Sequence, residues 1–246
     1  MENNKQNRVT APLISIIIPV FNSADVLKDC LLSVIDQQEK NLELIVIDGG
    51  STDGTPAILK EFEKYISCLV SEPDNGIYDA MNKGTKKATG KWLYFMGADD
   101  RLLPGFSQMA TLLKDEDTLY YGDVESDGDM LEGAFSAYRL AKYCLNHQTL
   151  FYPAKVFRTY SYSSRYKVYA DYALNIQCWG DSSIKKQYYS IKVVWYNLTG
   201  FSATTSDDLF KREKPQLIKQ SMGWLMYLRF LYKRRKEQSK PGSNFY

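Results

Sequence analysis

Three carboxylates stand out because each follows a short apolar run. Leu42 to Ile47 leads into Asp48, and Trp92 to Met96 leads through Gly97-Ala98 into Asp99-Asp100. Carboxylates are hard oxygen ligands suited to Mg²⁺ or Mn²⁺. A divalent ion held there can bridge a diphosphate, neutralise a leaving group and orient it. Asp is also a common turn residue after a strand, so either site alone fits a turn as well as a ligand site. The cluster Gly49-Gly50-Ser51-Thr52-Asp53-Gly54 is neither a GxGxxG loop nor a Walker loop, which removes the usual dinucleotide and P-loop readings. Its small residues still let a ligand approach the backbone closely. His147 is the only histidine, and without a GxSxG elbow a Ser-His-Asp hydrolase has no support.

These acids need elements to position them. Leu13 to Val20 (LISIIIPV) is a continuous β-branched run, the pattern of a strand covered on both faces. Val26, Leu27, Cys30, Leu31, Val34 and Ile35 recur at helical spacing after Ser23, a candidate cap. A second strand over Leu42–Ile47 precedes a helix opened by Thr55-Pro56. Cys68–Val70 reads as a short third strand, Tyr78–Ala88 as a helix closed by Gly90, and Trp92–Met96 as a fourth strand. Such alternation implies right-handed crossovers and a parallel sheet covered by helices. Ligands bind at the carboxyl ends of such strands, so Asp48 and Asp99 fall on one rim. Further on, Leu119–Asp123 and Ile191–Tyr196 read as strands, Tyr166–Trp179 contains a helical stretch, and the chain from Lys211 onward is helical and basic.

Composition narrows the class. The 246 residues suit one compact domain, alone or with a helical tail, and 44% apolar residues suffice for a sizeable core. A net charge of +2 argues against a nucleic-acid partner. Cys30, Cys68, Cys144 and Cys178 are scattered, which gives neither a zinc site nor a disulfide framework and suits buried free thiols in a reducing compartment. The polar start MENNKQNRVTAP has no apolar signal core, and no run reaches the length of a membrane span. A cytoplasmic protein is expected. The tail GWLMYLRFLYKRRKEQSK mixes Trp224, Leu225, Leu228, Phe230 and Leu231 with Arg229, Lys233, Arg234, Arg235 and Lys236. Such a helix suits the anionic inner face of the cell membrane, or it packs on the domain with a solvated basic end.

Four ordered blocks, SIIIPVFN, ELIVIDGGSTDGT, SEPDNGIYDAMNKG and GKWLYFMGADD, resemble the family 2 glycosyltransferases, above all the small bacterial branch of exopolysaccharide and colanic-acid assembly. The later stretches HQTLFYP, YKVYADYAL and GFSATTSDD are similar to that branch too. The resemblance covers about residues 12–208. It implies a catalytic domain there with the GT-A fold, an α/β sandwich with a mixed central sheet flanked by helices. A basic amphipathic helical tail then follows over 209–246.

What the resemblance implies carries over by position. Pro19, Val20 and Phe21 would line the nucleobase and ribose pocket. Asp48 would accept a hydrogen bond from the base, uracil being commonest. Asp79 and Lys83 would sit near the nucleotide. Asp99, with Asp100 beside it, would hold Mn²⁺ or Mg²⁺ as the two metal-binding acids, Asp171 would be the catalytic base, and His147 a contact to donor or acceptor. The implied reaction is an inverting transfer from a nucleotide-diphosphate sugar to a glycan or lipid-linked acceptor. Three departures accompany it: Gly97 and Gly49 stand where the family usually has acids, and Met81 where many members have arginine. They leave room for an alternative, a non-catalytic nucleotide-sugar-binding subunit of an assembly complex. A nucleotidyltransferase lacks a basic triphosphate loop.

Overall fold

The apolar runs form strands in the computed structural model, which describes residues 12–128, 133–198 and 205–239. In chain order the elements are β1 (Ile14–Val20), α1 (Leu27–Ile35), β2 (Leu42–Asp48), α2 (Thr55–Glu61), β3 (Cys68–Ser71), α3 (Ile77–Thr85) and β4 (Trp92–Phe95). They continue with β5 (Arg101–Leu102), α4 (Pro104–Ala110), β6 (Thr118–Glu125), α5 (Ala137–Lys142), β7 (Leu150–Pro153), α6 (Val156–Thr159), α7 (Ala170–Gly180), β8 (Lys185–Trp195) and α8 (Asp208–Gln238). Short 3₁₀ turns cover Glu63–Tyr65 and His147–Thr149. Of the block GFSATTSDD, residues 200–204 lie outside the described residues, as does the polar start up to residue 11.

One sheet runs in the order β3-β2-β1-β4-β7-β6-β8-β5. The first four strands are parallel, as the alternation requires, with Val20 paired to Asp48 and Asp48 to Ser71. β7 then inserts antiparallel between β4 and β6, and β8 lies parallel to β6. The sheet is therefore mixed, as the resemblance implies. Periodicity does not mark β7, LFYP, which runs directly out of the 3₁₀ turn His147–Thr149.

Successive side chains of each strand feed opposite cores, the period-2 consequence of the pleat. Ile14, Ile16 and Ile18 pack with α1 and α4, whereas Ile17, Ile45, Leu93 and Phe95 pack toward α3, α5 and α7. Fully burying such a side chain stabilises by about 1.5–3 kcal/mol. A surface ion pair such as Lys28–Glu61 contributes about 0–1 kcal/mol. The two apolar layers, not the surface pairs, therefore hold the sheet and with it the rim. Local ends differ from the expected caps. Ser23 offers its backbone carbonyl, rather than its hydroxyl, to the N–H groups of Val26 and Leu27. Thr55 is the first residue of α2, and Asp53 Oδ1 accepts from its N–H at 2.9 Å.

Helix α8 packs along α7 and α5 and buries Phe210, Ile218 and Phe230. Asp207 starts it: one carboxylate oxygen accepts from the Phe210 N–H and the other from the Val168 N–H, tying the helix to the loop before α7. Gly223 interrupts it with φ +84°, a left-handed conformation that glycine adopts without strain. Lys214 is 1% exposed, over the rings of Tyr172 and Phe230, and burial pulls its ammonium down to about 7. Between that value and its ordinary 10.5, the unfolded chain holds a proton that the folded chain has released. This group's contribution to stability therefore rises with pH across that window. Lys214→Met should raise the melting temperature, by about 2–4 °C per kcal/mol of relieved burial cost. The margin over wild type should be widest below about pH 7 and shrink toward pH 10; a pH series of melting curves for both proteins checks it.

Candidate functional site

A cleft of about 1040 Å³ opens at the carboxyl ends of β1 and β4, where the strand order turns. Its walls come from the β1–α1 loop, the start of α3, the Gly97–Asp99 turn, the 3₁₀ turn at His147, the start of α7 and the segment after β8. Of the residues singled out by sequence, it brings together Pro19, Val20, Phe21, Asp99, His147 and Asp171. Asp48, Asp79, Lys83 and Asp100 are not among the described residues that line it.

Asp48 is fully buried at the end of β2. Its carboxylate accepts from the Ser51 N–H (3.0 Å) and the Ser51 hydroxyl on one oxygen, and from the Ser71 hydroxyl (2.6 Å) on the other. It holds the glycine turn to β3 from beneath rather than facing the cleft. Lys83 is engaged by Glu72 at 3.0 Å and Asp79 at 3.7 Å and donates to the Pro73 carbonyl. The hydrogen bond to Glu72 holds its ammonium above the ordinary lysine value. Asp79 in turn accepts from the Asn75 N–H at 3.0 Å. These two charges brace the loop over residues 72–76 from behind.

That loop carries Asp74, which sequence reasoning passed over although it lies in the quoted block SEPDNG. Asp74 lines the cleft, and its Oδ2 lies 2.5 Å from where a Cβ on Gly49 would stand, with Phe21 Cδ2 at 3.3 Å. Gly97 repeats the arrangement: a Cβ there would lie 2.7 Å from Asp99 Oδ1 and 2.9 Å from Asp100 Oδ2. Both glycines stand where the resemblance expects acids, and in both places a neighbouring carboxylate fills the space. The departures in sequence thus leave negative charge at both corners.

Phe21, 61% exposed, forms the lip of the cleft above the glycine turn. Its loop is clamped by Asn22, which accepts from the Thr52 N–H through its side chain and donates its backbone N–H to the Ser51 hydroxyl. At the other corner, Asp99 is half-buried and lines the cleft, accepting from the Asn197 side-chain amide at 3.0 Å. Asp100, 1% exposed, lies behind it and accepts from the Gly97 N–H (2.8 Å), Gln148 Nε2 (3.0 Å) and the Asn197 N–H (3.2 Å). Burial, with the charge of Asp99 added, raises its carboxyl to about 6 despite those donors. The same charges, on top of burial, push the Cys30 thiol well above its ordinary value. Arg101, the adjoining cation, pairs with Asp29 instead.

This acid pair fits a divalent cation by its chemistry, since it concentrates uncompensated negative charge at a cleft wall. No group of three or more His, Cys, Asp or Glu that could hold a metal occurs among the described residues. At this corner the cleft offers the Asp99 carboxylate, backed by Asp100; one or two carboxylates is the protein share typical of Mg²⁺ sites completed by substrate phosphates and water.

Asp171 lies in the first turn of α7 and is 6% exposed. Its Oδ1 accepts from the Tyr78 hydroxyl and its Oδ2 faces His147 Nδ1, both at 2.9 Å. His147 adjoins Gln148, the partner of Asp100, so two consecutive residues touch both acid centres. Neither Tyr78 nor Asn197 is legible as a site residue from sequence, because each acts through a contact made more than ninety positions away.

Comparison with known proteins bears on the fold and the family. The chain is 38% identical over 219 residues to the PGL/p-HBAD biosynthesis glycosyltransferase of Mycobacterium bovis (strain BCG / Pasteur 1173P2), which covers 84% of this chain and 86% of that one. S. aureus TarS 1-349 in complex with UDP-GlcNAc matches with a TM-score of 0.72 at 16% identity, over 93% of this chain and 73% of that one. This chain spans 46% of the longer TarS structure. The mannosyltransferase PcManGT from Pyrobaculum calidifontis, in complex with GDP-Man and Mn²⁺, matches with a TM-score of 0.62 at 13% identity, over 95% and 78%. At such identities the structures show a shared GT-A fold, and fold alone does not assign a reaction. Residues 15–189 match the family described as Glycosyl transferase family 2, and by that match the chain belongs to this family.

Proposed function

We propose that the cleft binds a nucleoside diphosphate sugar, with uracil as the preferred base, and transfers the sugar with inversion to a hydroxyl of a glycan or lipid-linked saccharide. The observation that carries this reading is that Asp99 and Asp171 line one cleft, and that His147-Gln148 joins Asp171 to Asp100, the residue next to Asp99. A single displacement needs one centre that stabilises the leaving diphosphate and one that drives deprotonation of the acceptor, without a second nucleophilic carboxylate. The shared fold with proteins crystallised with UDP-GlcNAc, or with GDP-Man and Mn²⁺, supports the donor class.

Each residue has a role in this reading. Phe21 offers an exposed ring on which the base stacks, beside Pro19 and Val20. Asp74 accepts from the N3–H of uracil, a donor that cytosine and adenine lack at the equivalent ring nitrogen. Asp48 shapes that pocket through Ser51 and Ser71. Asp79 and Lys83 hold the loop carrying Asp74. Asp99, supported by Asp100, would hold Mn²⁺ or Mg²⁺, which neutralises charge on a departing diphosphate. Asp171, the base implied by the resemblance, supplies the negative charge that draws the acceptor's proton at the other end.

The tail belongs to the same proposal. Trp224, Leu225, Leu228 and Tyr232 are 60%, 74%, 54% and 72% exposed on the outer side of α8, beside exposed Arg229, Arg235 and Lys236. No helix among the described residues is long and apolar enough to cross a membrane. An apolar face edged by cations fits the surface of an anionic bilayer.

Three measurements test the reading. Nucleotide sugars should raise the melting temperature more with Mn²⁺ than without, because a ligand of the folded state stabilises it; Asp99→Asn should abolish the metal increment, and an unchanged increment sinks the metal assignment. Phe21→Ala should weaken UDP binding about 5- to 150-fold, the ratio for ~1–3 kcal/mol of base stacking. Asp171→Asn should keep donor binding and lose turnover. For the tail, wild type should float with phosphatidylglycerol vesicles and not with phosphatidylcholine vesicles. A Leu225→Ser/Leu228→Ser/Tyr232→Ser variant should stay at the bottom of the gradient; equal flotation refutes the membrane face.

A further inference from the structure

Each oxygen of the Asp171 carboxylate already has a partner. Tyr78 donates to Oδ1 at 2.9 Å, and burial together with the charge of Asp171 pushes that phenol well above its ordinary value, so Tyr78 stays a donor. The other oxygen faces His147 Nδ1 at 2.9 Å. A carboxylate only accepts, so Nδ1 is the nitrogen that carries the proton. In the neutral imidazole the lone pair then resides on Nε2, which has no hydrogen-bond partner among the described residues. His147 lines the cleft, and its side chain is 16% exposed against 9% for Asp171.

The mounting of His147 is rigid. Asn146 caps its 3₁₀ turn by accepting from the Gln148 N–H at 2.9 Å, and the Gln148 side chain is held by Asp100 at 3.0 Å. Of the other groups beside Asp171, the Cys144 thiol is raised well above its ordinary value by burial and by the charge of Asp171, so it offers no thiolate.

We infer that the atom receiving the acceptor's proton is His147 Nε2, with Asp171 acting through it as a positioning residue. The inference rests on the proposed glycosyl transfer and relocates the accepting atom within it. As the acceptor oxygen bonds to the anomeric carbon, its O–H pair stays on oxygen and the proton moves to Nε2. The bond from the anomeric carbon to the diphosphate breaks, and its electron pair leaves with the nucleoside diphosphate. Imidazolium forms against the Asp171 carboxylate, which stabilises it, and loses the proton to water afterwards. Asp171 keeps both hydrogen bonds throughout and fixes the tautomer.

The test uses water as acceptor, reading UDP or GDP release with Mn²⁺. The donor is whichever of UDP-N-acetylglucosamine, UDP-glucose, UDP-galactose and GDP-mannose raises the melting temperature most. His147→Gln can still donate to Asp171 but cannot take a proton, and should lose about 10²- to 10⁴-fold in turnover while keeping the donor's melting shift. His147→Ala should fall equally and recover at least about tenfold with added imidazole, as expected where a missing general base is replaced from solution. His147→Gln turnover within a few-fold of wild type overturns the inference and returns the proton to Asp171. A His147→Ala loss that imidazole leaves unchanged also overturns it, since a structural histidine is not replaced from solution. Absence of any donor shift or release in wild type instead fails the transfer reading itself, and this inference with it.

Discussion

A buried carboxylate must find donors, and Asp100 finds them on three separate segments. An uncompensated buried charge costs several kcal/mol, and a hydrogen bond to a charged group returns about 1.5–3 kcal/mol. Asp100 collects its donors from the turn after β4, from the 3₁₀ turn before β7 and from the segment after β8. Those three segments are the wall of the cleft that carries Asp99, His147 and Asn197. The sheet brings residues 99, 147 and 197 near one another, and the donors to Asp100 tie their segments together. The elevated carboxyl, at about 6, shows that the donors do not offset burial and the neighbouring Asp99 completely. The wall therefore retains an appetite for positive charge.

The opposite corner is organised by the same rule with a different outcome. Asp48 is as buried as Asp100, yet its partners are hydroxyls and an amide of its own turn and of β3. Its charge shapes the glycine turn, and the carboxylate that lines the cleft there is Asp74. Because Asp74 and Phe21 fill the space in front of Gly49, a side chain at that position would displace them. Glycine marks the places where a carboxylate from elsewhere closes in, which explains how the cleft keeps its acids while the expected positions lose them.

The link between the two ends of the cleft is short and stiff. His147 and Gln148 are adjacent in a capped 3₁₀ turn, one held by Asp171 and the other by Asp100. A shift at either acid is transmitted through one peptide bond. In the inverting transfer proposed above, attack and departure occur on opposite faces of one carbon, and such a link would keep the two ends in register.

Much of this protein was legible in its sequence, and the reasons are local. Ile14–Val20, Leu42–Asp48 and Trp92–Phe95 announce themselves as strands because burial on both faces demands unbroken apolar runs. The parallel order follows from the helices between them, and the placing of Asp99 at the rim follows from that order. Family blocks added the mixed sheet and Asp171. Tertiary structure alone decided that Asp48 turns inward while Asp74 faces the cleft, that Asp100 supports rather than lines it, and that Tyr78, His147 and Asp171 form one hydrogen-bonded set. Burial of a carboxylate and the choice of its donors depend on residues up to 97 positions away in the chain. No periodicity or spacing carries that information, because such contacts exist only once the sheet has brought its loops together.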